Sequence, residues 1–159
     1  IENEAKDGDI NFYDLPHPLE KNNSLNFSFS GIKTAANLII KRSLNDIDLV
    51  KNMSASFQSK IADILEKKLH VVLADIKKRG IIISDISLVG GVAANKYIYK
   101  RFKKKAHIYG CDVKLPPNFM FSDNAAMIAW ASILKYNLKP FSNLNFKANP
   151  RLEIISKKI

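Results

Sequence analysis

From Asp46 onward the apolar residues Ile47, Val50, Met53, Phe57, Ile61, Ile64, Leu65, Leu69, Val72 and Ile76 recur every three or four positions. Only a helix, at 3.6 residues per turn, gathers such a series onto one face, so the middle of the chain reads as one long amphipathic helix or two in series. Gly80 ends it. A helix of this kind is held mainly by what packs on its apolar face, and the rest of the chain must supply that surface.

Around this helix, strand-like and helix-like segments alternate. Leu25-Asn26-Phe27-Ser28-Phe29 has a period of two and predicts a strand with one buried face, after which Ser30 reads as the N-cap of a helix from Ile32 to about Arg42. Ile81-Ile82-Ile83 reads as loop or strand entry. Asp85 to Val89 reads as a buried strand running into Gly90-Gly91 and a helix from about Ala94 to Lys105, and a shorter strand is expected near Asp112 to Leu115. Pro116-Pro117 breaks the chain. Ser122 then suits the N-cap of a helix through about Tyr136, whose residues Ala125 to Ala131 are apolar all round, as in a buried helix. Ile1 to Lys6 resembles the last turn of a helix stopped by Asp7-Gly8, and since Ile1 is not methionine the start reads as cut. The expected organisation is a ragged connection over 1–24 with Pro16 and Pro18, a core over 25–137, and an irregular tail over 138–159 with Pro140 and Pro150. Strands alternating with helices point to an α/β fold.

A length of 159 residues with 47% hydrophobic and 25% charged residues suits one globular domain and argues against two. The single Cys111 can form neither an internal disulfide nor a thiolate metal site, and a reducing, cytoplasmic setting fits it. The longest apolar stretch, Ala125 to Leu134, falls short of the roughly 20 residues that cross a bilayer, so no membrane role is expected. The formal net charge of +10 invites a nucleic-acid or acidic-membrane partner. That charge is discounted here, because 21 of the 25 basic residues are lysine, a residue with A/T-rich codons and the weaker choice for forked phosphate recognition. Its densest cluster, Lys96, Lys100, Arg101, Lys103, Lys104 and Lys105, reads first as the solvated face of an amphipathic helix, with a nucleic-acid contact as the alternative.

Three segments could carry chemistry. In Val89-Gly90-Gly91-Val92-Ala93-Ala94-Asn95, glycines at the end of a strand let a backbone approach a ligand and aim amides at an anion, which suits a nucleotide. Paired glycines serve equally as a plain tight turn, and neither the Walker loop nor the dinucleotide fingerprint is present. Asn95 adds an amide able to donate and accept, as a ribose or polar acyl group requires. In Phe121-Ser122-Asp123-Asn124-Ala125-Ala126-Met127, Asp123 is either a charge at a helix start or one hard oxygen ligand for a metal. His17, His70 and His107 show no paired spacing that would complete such a site and read as surface or capping residues. In Phe27 to Thr34, Ser30 and Thr34 lack an assignable base, and the Phe27 and Phe29 pair reads as core packing.

Taken in order, these segments resemble the carboxyl-terminal lobe of the TsaD family, the tRNA adenosine threonylcarbamoyltransferases. Asn26 to Thr34 is similar to the family's D/N-F-S-F-S-G-L-K-T segment and Met53 to Gln58 to its I-A-A-S-F-Q helix. Val89 to Asn95 is similar to its A-G-G-V-A/S-A-N loop, and Ser122 to Met127 to its T-D-N-A-A-M helix start. The resemblance implies an actin-like fold of the sugar-kinase and heat-shock-ATPase type, of which only the second ribonuclease-H-like lobe is largely present. It further implies transfer of a threonylcarbamoyl group from an adenylate to the N6 amine of the adenosine beside a tRNA anticodon. Gly90 and Gly91 would lie against the nucleotide, Asn95 would contact substrate, and Asp123 would be a ligand of one divalent metal, iron or zinc. The implied partners are tRNA, threonylcarbamoyl-adenylate and TsaB-type and TsaE-type proteins.

The pattern has departures. The family's two metal-binding histidines in H-x-x-x-H, its first nucleotide loop and an upstream aspartate and glycine are absent, leaving one metal ligand of three, so the isolated chain is expected to be inactive and to bind metal weakly or not at all. His17 stands where arginine is common, and Phe121 replaces a cysteine. A generic actin-like ATPase or kinase lobe and a non-catalytic interaction module are the alternatives. A metalloprotease ranks last for want of H-E-x-x-H.

Overall fold

The computed structural model describes residues 1–17 and 25–138. Pro18 and the tail expected beyond Leu138, with Pro140 and Pro150, lie outside the described residues, while Leu138 itself still belongs to a helix. The chain divides into two units, residues 1–122 and residues 123–159.

In the first unit, α1 spans Ser30–Arg42, α2 Leu49–Lys78, β1 Asp85–Ser87, α3 Lys96–His107 and β2 Asp112–Lys114. The long apolar period resolves as a single helix of 30 residues, closed at Gly80, whose φ of 69° is the left-handed conformation that stops a helix. α2 is the spine on which two cores are built. Its first half, through Met53 and Ile64, meets Ile32 and Ala36 of α1 together with Leu15. Its second half, through Leu69 and Leu73, meets Phe102 and Ala106 of α3 with Cys111 and Val113. The expected α/β alternation is present as β1–α3–β2, with the strands parallel and in register Asp85 to Asp112, Ile86 to Val113 and Ser87 to Lys114.

Several local expectations are corrected. Leu25 to Phe29 forms no strand, because the only ladder among the described residues joins β1 to β2 and leaves this segment without a paired neighbour among them. β1 is shorter than expected and alternates exposed and half-buried residues, since a two-stranded sheet covers little of either strand. Ser30 lies inside α1, whose N-cap is Phe29. The first residues form a 3₁₀ turn at Glu4–Asp7, docked on α2.

The second unit contains α4, Ala125–Leu138. Its cap is Asn124, whose Oδ1 accepts the Met127 amide at 3.1 Å, and not the expected Ser122, which sits two residues too early to reach that amide. This apolar-all-round helix is expected to be buried. It is instead exposed, with Ile128 at 70% and Trp130 at 63%, because α4 is the only helix among the described residues of its unit.

Candidate functional site

β1 leads into a turn at Gly90, with φ 92° and ψ 164°, a conformation that a side chain strongly disfavours. Gly91–Ala94 follows as a 3₁₀ turn anchored by buried Ala93. Gly91 has no positive φ, and a Cβ added there would meet nothing within 4 Å, so its missing side chain leaves open space beside the backbone. The turn borders an apolar groove of about 460 Å³, lined by Val89 and Val92 together with Phe27, Phe29, Lys33 and Phe57. The two phenylalanine rings stack on each other, 5.8 Å apart and 10° from parallel, and Phe27 is 52% exposed. Both line this groove; Phe29 is half-buried and packs on the core between α1 and α2 as expected, whereas Phe27 stays exposed because the strand that would have buried it does not form.

Asn95 is not inside α3 but is its N-cap. Its Oδ1 accepts the Ile98 amide at 2.9 Å, and its Nδ2 donates to Gln58 Oε1 at 2.6 Å. One hydrogen on Nδ2 and one lone pair on Oδ1 are left over for a ligand. The amide of Lys96, the next residue, donates to Glu2 Oε1 at 3.1 Å.

Gln58 is itself buried, and on another face α2 carries a buried polar stripe that the apolar period hides. Asn52, Ser56 and Ser59 recur at helical spacing and are all buried. Asn52 Oδ1 accepts the Asp9 amide at 3.0 Å, while Ser56 Oγ accepts the Tyr13 amide and donates to the Asp9 carbonyl. Asn52 and Ser56 fasten residues 9–13 to α2, while Ser59 Oγ accepts the Tyr97 hydroxyl of α3 at 3.4 Å; the helical spacing of the three is the sequence signal for the stripe. Below it, Arg101 of α3 grips Glu66 through Nε at 3.1 Å and Nη2, and reaches Asp63 at 2.8 Å. Partial burial disfavours the guanidinium charge, but the bonds to Glu66, Tyr97 and Asp63 outweigh it and raise the Arg101 pKa.

Asp123 lies in the second unit, before α4, and is exposed. Gly90, Gly91 and Asn95 belong to the first unit, which brings them together at the end of β1. Among the described residues no group of three or more His, Cys, Asp or Glu is placed to hold a metal ion. Asp123 offers one hard oxygen group, and the donor set among the described residues does not by itself fit a divalent cation. His70 Nδ1 bonds the Tyr109 hydroxyl, and His107 lies 3.8 Å from Asp112. Thr34 donates its hydroxyl back to the Ser30 carbonyl, an ordinary helical bond and not a nucleophile's setting. No described helix is long and apolar enough to cross a membrane.

The profile of the TsaD family, tRNA N6-adenosine threonylcarbamoyltransferase, matches residues 1–130. The chain belongs to this family. Curated relatives named tRNA N6-adenosine threonylcarbamoyltransferase include those of Rickettsia rickettsii (strain Sheila Smith) and Rickettsia bellii (strain OSU 85-389), each 40% identical over 98% of this chain. That of Rickettsia canadensis (strain McKiel) is 39% identical over the same share. The chain spans 47%, about half, of the length of these TsaD relatives.

Proposed function

We propose that the chain is the carboxyl-terminal, ribonuclease-H-like lobe of an actin-like, two-lobed TsaD enzyme. In the reaction, the N6 amine of the adenosine beside the anticodon attacks the carbamoyl carbonyl carbon of threonylcarbamoyl-adenylate. A C–N bond forms as the bond from that carbon to the phosphate oxygen breaks, AMP leaves with the electron pair, and the amine gives up a proton. Gly90 and Gly91 lie against the nucleotide, and the spare hydrogen and lone pair of Asn95 meet the substrate. Asp123 contributes one ligand to an iron or zinc site whose other ligands come from outside this chain. On this reading the isolated chain is inactive, and the whole enzyme works in the cytoplasm with TsaB-type and TsaE-type partners.

The observation that carries the reading is the turn after β1: a positive φ at Gly90 and open space at Gly91, followed by a capped Asn95, in a member of the TsaD family. Gly91→Ala tests it, because the added methyl touches nothing among the described residues, so a loss of transfer at unchanged stability points to the ligand. In the full-length protein, Gly91→Ala is expected to slow transfer to tRNA by about tenfold or more with an unchanged melting temperature. Asp123→Ala is expected to do the same. Full activity in the first variant removes the nucleotide from this turn, and full activity in the second removes the metal role. Calorimetric titration of the isolated chain with iron or zinc should show weak binding, and tight stoichiometric binding contradicts a single-ligand contribution.

A further inference from the structure

α3 is a 12-residue helix, KYIYKRFKKKAH, without a single acid. Ile98, Phe102 and Ala106 are its buried face, and Arg101 is turned to Asp63 and Glu66. Lys105 is half-buried, while Lys96, Lys100, Lys103 and Lys104 are exposed. At 100° per residue these four fall within an arc of about 100° and extend over about 12 Å. Among the described residues none of the four ammonium groups makes an ion pair, whereas Lys51, Arg79, Arg101 and Lys114 all do. Lys103 Nζ lies 6.0 Å from the centre of the Tyr99 ring. The carboxylates that meet α3 are engaged elsewhere: Asp63 and Glu66 on Arg101, Glu2 on the Lys96 amide, and Asp112 beside His107 and Lys114.

Fold stability gives no reason for this row. Like charges at helical spacing repel, and Lys96 occupies the first position of α3, where the helix dipole disfavours a cation. The dipole accounts for Lys104 near the carboxyl end but not for Lys96 or Lys100. We propose that the exposed lysine row of α3 is a contact surface for the ribose-phosphate backbone of RNA, an inference that rests on the tRNA reading above. Successive lysines stand about 6, 4.5 and 1.5 Å apart along the axis, about 4 Å on average, a scale matched to a strand carrying a phosphate about every 3.4 Å. Lysine acts as a point charge on phosphate, positioning the RNA without reading its bases. A membrane surface fits less well, because no apolar side chain is interleaved in the row to enter lipid.

The test measures binding of an unmodified tRNA transcript to the full-length protein across a salt series. The triple variant Lys100→Gln, Lys103→Gln, Lys104→Gln is expected to bind about tenfold more weakly at 0.15 M salt, with the log–log salt slope shallower by about 2. Lys77→Gln with Lys78→Gln, exposed lysines at the end of α2, should bind like the wild type. Equal affinity in wild type and triple variant overturns the proposal while leaving the tRNA reading intact. Equal weakening by the α2 pair overturns it too, by reducing the effect to net charge. A wild type that binds no tRNA overturns both. Loss of binding to phosphatidylglycerol vesicles with tRNA affinity unchanged assigns the row to lipid instead.

Discussion

Asn95 Nδ2 donates to Gln58 Oε1 at 2.6 Å, tying the start of α3 to the middle of α2. The same Asn95 side chain caps α3 through the Ile98 amide, so one amide sets both the helix start and its distance from the spine. Asn95→Ala should lower unfolding free energy by about 1–3 kcal/mol, the range of a lost cap plus an abandoned acceptor on buried Gln58. Asn95→Asp keeps the cap, and Gln58 can rotate its amide to donate, so it should cost less than half as much. Urea unfolding of the three proteins checks the order, and equal losses would show that the cap contributes nothing.

Arg101 fastens the same two helices farther along, with a fork on Glu66 and a branch to Asp63. The Arg101 and Glu66 side chains are 29% and 18% exposed, so solvent screens the pair only in part. Arg101→Ala is expected to cost about 1–2 kcal/mol, more than an exposed ion pair. Arg101→Lys keeps the charge but not the planar fork and should recover less than half of that loss. Chemical denaturation at low and high salt reads both effects, and full recovery by lysine would show that geometry is unimportant here.

Features governed by a local rule are legible in the sequence. The 3.6-residue apolar period specifies α2, and Gly80 marks its end, because both follow from helix geometry alone. Gly90, Gly91 and Asn95 are likewise visible as a strand–turn–helix pattern. Features that depend on a partner are not. Among the described residues, Leu25 to Phe29 carries a strand's alternation but has no neighbour to pair with, and α4 carries a buried helix's composition without a covering surface from its own unit. The polar stripe of Asn52, Ser56 and Ser59 escapes for the opposite reason: small polar residues read as solvent-facing until the segment over residues 9–13 is seen to cover them.

Gly8 shows how closely that segment approaches α2. A Cβ at Gly8 would lie 2.2 Å from the Lys51 carbonyl oxygen and 2.9 Å from Ala55 Cβ, and the backbone atoms of a helix cannot give way. Gly8→Ala should therefore lift the Glu4–Asp7 turn from α2 and cost about 1–3 kcal/mol. Gly31→Ala, inside α1 with nothing within 4 Å, should instead be neutral or stabilise by about 0.5–1 kcal/mol. Thermal melting of the two variants gives opposite signs if steric approach, and not glycine's flexibility, is what Gly8 supplies.

Asp85 makes the parallel pair β1–β2 sensitive to acid. The Ser84 hydroxyl, at 3.0 Å, and then Lys114 hold its pKa below the ordinary 3.8. Folding thus favours the charged form, so this contribution is complete above about pH 4 and is lost as pH falls through the lowered value. Wild type should lose more stability than Asp85→Asn between pH 5 and pH 2, with the two curves parallel above that window. Because both side chains are more than half exposed, 0.5 M salt should shrink the difference. Urea midpoints measured at pH 7 and pH 3 decide it: identical acid losses in the two proteins would mean that the folded state does not favour the Asp85 carboxylate.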